Sequence, residues 1–313
     1  MKNIALDGVT VATVLPFKAD LSIDWNSYDR LLKYCTTPKG IKAVFVNGHA
    51  GEGATLTPQE RIEVITRTRA FIGPDTPLLT GIIPYSTADA IAQVKDAEQA
   101  GVDVAVLFPM PQFSAGASSD PRYALHYVES VLEATRLPVS IFQQDVRAGV
   151  GFSTAVLAEL VRNERVIAVK EGSGDIQLYE DNWRMIKAQA PKVAVLPSNY
   201  HWLFAQVAVG ADGILSGMAS MIPDLLCELW AATQASDLAA MRAVNDRLYP
   251  IVRTIYGAPP LIDMHTRLKI GLAHMGVIDD ARPRPPLLPV PVETARRVSE
   301  TVDRAGLASA ARA

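Results

Sequence analysis

Two cysteines, Cys35 and Cys227, are all that the chain carries. They lie too far apart to offer a CxxC metal spacing or a disulfide framework, so both are read as reduced and buried, and no metal is expected. Long apolar runs are missing as well. Nowhere do about 18 apolar residues follow one another, and the opening stretch MKNIALDGVT has no basic segment leading into an apolar one. The expectation is a cytoplasmic protein without a membrane partner. Basic charge is not in excess either: 30 Lys and Arg stand against 33 Asp and Glu, a net charge of −3. Binding to nucleic acid or an anionic membrane needs a concentrated surplus of cations. A small molecule is therefore the expected ligand.

What is present is enough apolar material for a large core, 49% hydrophobic against 20% charged residues. Short β-rich runs recur, each followed by a segment with apolar residues at helical spacing, which is the pattern of βαβ units. Strands are expected at Val9–Leu15, Ala43–Val46, Leu78–Ile82, Val104–Phe108, Val139–Phe142, Val166–Lys170, Val193–Leu196 and Gly213–Ser216. Helices fill the gaps, with Thr57, Pro58 and Glu60 forming a capping-box start and Gly101 and Gly210 expected as left-handed helix ends. Eight strand–helix units in one series fit a closed (β/α)₈ TIM barrel better than an open sheet of five or six strands. The barrel is assigned to residues 1–233. Residues 237–255, 263–275 and 292–305 read as three further helices in a C-terminal appendage, 234–313, joined through the proline-rich RPRPPLLPVP stretch.

Reactive side chains in such a barrel belong at the carboxyl ends of the strands. Lys170 stands there, in VIAVKEGSGD. A lysine at a barrel mouth loses hydration, its proton affinity falls, and the neutral amine can attack a carbonyl. Glu171 and Asp175 flank the same turn and are read as solvated caps, not as a glycosidase pair. His49 is a possible acid or base, since imidazole titrates near neutrality.

VIAVKEGSGD, together with GHAGEGATLTPQER at 48–61 and ATVLPF at 12–17, resembles the dihydrodipicolinate synthase and N-acetylneuraminate lyase family over roughly residues 5–280. The resemblance implies a Schiff-base lysine on the sixth strand, acting on pyruvate or a larger 2-oxo acid without metal or organic cofactor, in a homotetramer built as a dimer of dimers. It also implies that the turn Gly48–Gly51 holds the substrate carboxylate, although the two hydroxyl residues usual there are His49 and Ala50. The Ala50 backbone can still donate to an anion. The fifth-strand tyrosine of the family is Phe142 here, and a second tyrosine near the fourth strand is replaced in the Met110–Pro111 region, so the usual proton relay is missing. Arg147 occupies the register where synthases bind a distal carboxylate, and Gln143 and Asp145 offer further polar groups.

The expected catalytic set is Lys170, His49 and the Phe142 slot; the expected substrate-binding set is Gly48, Ala50, Gly51, Glu52, Asp145, Arg147, Gly213, Ile214 and Ser216. Asn199, Tyr200, His201 and Trp202 after the seventh strand are further residues that would line the site. With the relay gone, an aldolase, hydratase-aldolase or dehydratase is favoured over a dihydrodipicolinate synthase. A non-catalytic 2-oxo acid binder is the alternative of another class.

Overall fold

The computed structural model describes residues 4–198 and 201–307; the expectations for Asn199 and Tyr200 lie outside the described residues. Eight strands, β1 (Val9–Ala12), β2 (Ile41–Val46), β3 (Leu78–Ile82), β4 (Val104–Leu107), β5 (Val139–Gln143), β6 (Val166–Glu171), β7 (Ala194–Pro197) and β8 (Ile214–Ser216), pair in the order β7-β6-β5-β4-β3-β2-β1-β8. Every pairing in that series is parallel. Asp212 draws the remaining seam together: its N–H donates to the Val195 carbonyl (3.0 Å), and its carboxylate accepts the Val195 N–H (2.8 Å). The fold is a (β/α)₈ TIM barrel with C-terminal helices.

Eight helices alternate with the strands: α1 (Trp25–Thr36), α2 (Pro58–Ile72), α3 (Thr87–Ala100), α4 (Pro121–Ala134), α5 (Thr154–Leu160), α6 (Ile176–Gln189), α7 (Leu203–Val209) and α8 (Pro223–Gln234). The capping box of α2 forms as its sequence indicates. Thr57 Oγ1 accepts the Glu60 N–H (3.2 Å) and Glu60 accepts the Thr57 N–H (2.9 Å), a start worth about 1 kcal/mol. Gly101 closes α3 in the left-handed region at φ 94°. Gly210 also has a positive φ, but at 150° with ψ 141° it lies outside the left-handed helical well, in a region that only glycine adopts readily, and a side chain there would run into the Trp183 ring.

The helix expected over 237–255 is instead α9 (Leu238–Ile251) followed by a π-type turn at Val252–Tyr256. Pro250 lies inside the last turn of α9; it has no N–H to donate and its ring crowds the carbonyl four residues back, and loosening of this kind is typical of such sites. Then come α10 (Met264–His274) and α11 (Val292–Arg304). Cys35 is buried as expected, whereas Cys227 is only partly so; neither forms a disulfide. No helix among the described residues is long and apolar enough to cross a membrane.

Candidate active site

Side chains alternate between the two faces of a strand, and this decides what meets at the barrel mouth. Ala12, Phe45, Phe142, Lys170 and Leu215, from β1, β2, β5, β6 and β8, line one cavity of about 170 Å³. Phe142 and Lys170 are lateral partners in the β5–β6 register. Their chain neighbours face the other way. Gln143 donates from Nε2 to the Phe152 carbonyl (2.8 Å) and accepts the Phe152 N–H (3.0 Å), so it clasps the following loop and does not reach a substrate. Glu171 is fully buried and accepts from Asn182 Nδ2 (3.1 Å). Burial pushes its carboxyl up to about 7, which corrects the expectation of a solvated cap; Asp175 is the cap, accepting the Leu178 N–H at the start of α6. A larger groove of about 700 Å³ lies on the outer face of α1 and α2 beside Trp25, Arg67 and Phe71, but no strand-end side chain reaches it.

Lys170 is 7% exposed. Its Nζ lies 3.6 Å from the centroid of the Phe142 ring, 5.5 Å from that of Phe45 and 6.0 Å from that of Phe108. Two effects compete at this nitrogen. The ring faces attract a cation by up to about 2 kcal/mol, while burial strips its hydration and lowers the pKa from 10.5 to about 7, equivalent to about 5 kcal/mol. Loss of hydration wins. Among the described residues no carboxylate forms an ion pair with Lys170 to restore the charge, so a large fraction of the amine is neutral at pH 7.

His49 follows β2 and lines the same cavity, its ring edge-on to Phe108 (4.9 Å) and Phe142 (5.6 Å). Its side chain is exposed at the cavity mouth, and crowding by its neighbours, helped by the positive charge of Lys170, holds its pKa below the usual imidazole range, so at neutral pH the uncharged, basic form is favoured. The turn beneath it is closed by Glu52 N–H to His49 O and Gly53 N–H to Gly48 O, both 3.0 Å. Among the described residues the N–H groups of Ala50 and Gly51 meet no acceptor, and Ala50 lines the cavity.

The other expected binding residues are placed less directly. Asp145 lines the cavity. Although burial works against its charge, hydrogen bonds from Arg147 hold its carboxyl below the usual range, and Arg147 Nη2 donates to it at 2.6 Å. Arg147 itself is exposed and does not line the cavity. Gly48, Gly51, Gly213, Ile214 and Ser216 sit behind the lining; in β8 it is Leu215 that faces inward, as alternation requires, and Ser216 Oγ accepts the Met218 N–H (3.2 Å). His201 and Trp202 are exposed at the start of α7, and partial burial, then Arg253 and Arg147, keep the His201 imidazole below its usual range.

Glu52 points away from the cavity. Its carboxylate accepts from Lys269 Nζ (2.5 Å) and from the Arg284 N–H (2.8 Å), with both side chains of the ion pair fully buried. Lys269 also donates to the Arg282 carbonyl at 2.6 Å. Burial pulls the Lys269 proton affinity down and Glu52 opposes it. This pair ties the turn after β2 to α10, and with it fixes residues that sequence reasoning missed. Tyr256, Met264 and His265 reach over from the C-terminal segment and line the cavity, with Tyr256 and His265 packed edge to face at 5.7 Å. No periodicity marks them; the one local signal is an aromatic residue immediately before the Gly257-Ala258-Pro259-Pro260 break. Among the described residues no group of three His, Cys, Asp or Glu side chains is arranged to hold a metal ion.

A buried lysine facing a small cavity with a base, unpaired backbone N–H groups and an aromatic wall is an arrangement for imine chemistry on a carbonyl compound carrying a carboxylate. Comparison with known proteins agrees. A model of the Dihydrodipicolinate synthetase family matches residues 5–305. The chain is 28% identical over 292 residues to the 4-hydroxy-tetrahydrodipicolinate synthase of Chlorobaculum parvum, covering 93% of this chain and 94% of the relative. It is also 28% identical over 311 residues to that of Chloroherpeton thalassium, covering 99% of each. Among solved structures, a monomeric dihydrodipicolinate synthase variant superposes with a TM-score of 0.89 at 24% identity, over 98% of this chain and 99% of the other. The dihydrodipicolinate synthase of Thermotoga maritima gives 0.86 at 24%, over 96% and 99%. At that identity the structural matches speak for the fold.

Proposed function

Because the chain belongs to the dihydrodipicolinate synthetase family, we propose that Lys170 is the amine with which it binds a 2-oxo acid, pyruvate or a substituted pyruvate, as a covalent iminium. The enzyme is a class I, lysine-dependent lyase. Neutral Nζ adds to C2, the carbonyl oxygen leaves as water, and the iminium draws electrons from C3. That permits loss of a C3 proton, cleavage of C3–C4, or expulsion of a C4 hydroxyl. The N–H groups of Ala50 and Gly51 are suited to hold the carboxylate. The observation that carries this reading is the burial of Lys170, which keeps the amine in its nucleophilic form near neutral pH. It is tested by incubating the protein with pyruvate and borohydride: a reduced pyruvyl group should appear by intact mass and map to Lys170. An unmodified protein would instead mark a non-catalytic binder.

We assign the reaction to aldol cleavage, hydration-aldol cleavage or dehydration, since Phe142, His49 and Pro111 supply none of the hydroxyls of a synthase relay. The names of the relatives favour a second reading, synthesis of 4-hydroxy-tetrahydrodipicolinate, and efficient condensation of pyruvate with aspartate semialdehyde would establish it. Neutral His49 is assigned the C3 proton. His49→Ala is expected to slow exchange of the pyruvate methyl protons in D₂O, followed by proton NMR, by about 10²–10⁴-fold; exchange at the wild-type rate would remove His49 from that step. We further propose that the protein is cytoplasmic and assembles as a homotetramer. Light scattering at micromolar concentration should give four chains per particle, and a monomer would overturn that assembly.

A further inference from the structure

The C-terminal segment brings one phenol to the part of the cavity where the sequence has lost a hydroxyl. Tyr256 is 6% exposed and lines the cavity with Ala50 and Gly217. A Cβ built on Gly217 would fall 2.8 Å from the Tyr256 hydroxyl and 3.4 Å from the Ala50 Cβ. The phenol therefore lies over Gly217, next to the turn whose Ala50 and Gly51 N–H groups meet no acceptor among the described residues, and only a glycine leaves room for it.

The position of the ring is set by its surroundings. Arg267, 1% exposed, donates to the carbonyls of Ile255 (2.6 Å) and Pro260 (3.2 Å) on either side of Tyr256, and also to that of Ala258; a guanidinium has a rigid fork of donors, so the turn is held from several directions. His265 packs edge-on against the phenol ring. These contacts hold a hydroxyl beside the Ala50 turn, in a wall shared with apolar Phe45, Phe142 and Leu215 and with polar Gln144, Asp145 and Ser198.

Resting on the Schiff-base reading above, we propose that Tyr256 is a substrate-binding residue: its hydroxyl donates to the carboxylate of the 2-oxo acid held on Lys170, completing with Ala50 and Gly51 a three-donor site that depends on Gly217 having no side chain. The chemical consequence is selectivity for carbonyl compounds that carry a neighbouring carboxylate.

The test compares second-order rates of borohydride trapping at Lys170 for pyruvate and for acetone, a methyl ketone without the carboxylate. Tyr256→Phe should reduce the pyruvate rate by about 10- to 100-fold, the range for losing one hydrogen bond to a charged group, and leave the acetone rate within about twofold, as expected when that bond is not made. Gly217→Ala, which keeps the phenol but displaces it, should show the same selective loss. Pyruvate trapping by Tyr256→Phe at the wild-type rate overturns the proposal, and so does an equal loss for both ketones, which would make Tyr256 a packing residue. A wild-type protein that traps neither ketone defeats the Schiff-base reading itself, and this one with it.

Discussion

Lys170→Ala is expected to abolish trapping of pyruvate by borohydride and to lower turnover of any 2-oxo acid substrate by at least about 10³-fold, because the covalent route then has no nucleophile. Lys170→Arg should fail equally, since a guanidinium stays protonated. The pH dependence follows from the sign of the shift. The folded-state pKa lies near 7, below the ordinary 10.5, so the amine is an ammonium below about pH 6 and neutral above about pH 8. Trapping by the wild type should rise through pH 7 and level off, in place of the continued rise to pH 10 that an exposed lysine would give. The same displacement affects stability: between about 7 and 10.5 the unfolded chain binds the extra proton, so this residue favours the folded state increasingly as pH rises through that window. A trapping midpoint near pH 10 would show that the lysine is hydrated and sink the account of its activation. Trapping in Lys170→Ala, mapped to another lysine, would move the site elsewhere.

A second large effect is expected at a distance from the reacting atoms. Lys269→Met removes the cation facing Glu52 while leaving that carboxylate fully buried. Breaking a buried pair from one side costs about 3–5 kcal/mol, because the remaining charge has lost its counterion and cannot reach water. Urea or thermal unfolding should show the loss. The double variant Glu52→Gln/Lys269→Met should recover much of it, since burying two neutral side chains carries no such penalty. The pair also anchors α10, and hence His265, against the turn after β2, so the single variant should weaken pyruvate binding even at temperatures where it is folded. A loss below about 1 kcal/mol, the value of an exposed pair, would mean that the site admits water.

Glu52 also shows where reading along the chain stops. It belongs to a glycine turn next to the expected site, and its neighbour Ala50 does line the cavity. Which way the Glu52 side chain points is decided by Lys269 and the Arg284 backbone, far along the sequence, and no local pattern announces them. A place at a strand end makes Gln143 a polar group expected near the substrate, yet it lies one residue out of phase with the inward set and spends its amide on Phe152. Phe142 and Lys170 face each other because β5 and β6 share a register, and register is a property of the pairing of two strands.

The sequence by itself determined the series of eight strand–helix units, since periods of 2 and 3.6 and the capping residues are local and survive without tertiary context. It also determined the lysine at the end of the sixth strand, because order along the chain fixes which strand closes with it. Only the tertiary structure decided that this lysine is dehydrated by Phe142, Phe45 and Phe108, that Glu52 belongs to an ion pair, and that Tyr256 and His265 complete the cavity wall. Burial, and the proton affinities that follow from it, are set by atoms that become neighbours only when the barrel closes and the C-terminal helices pack across its mouth.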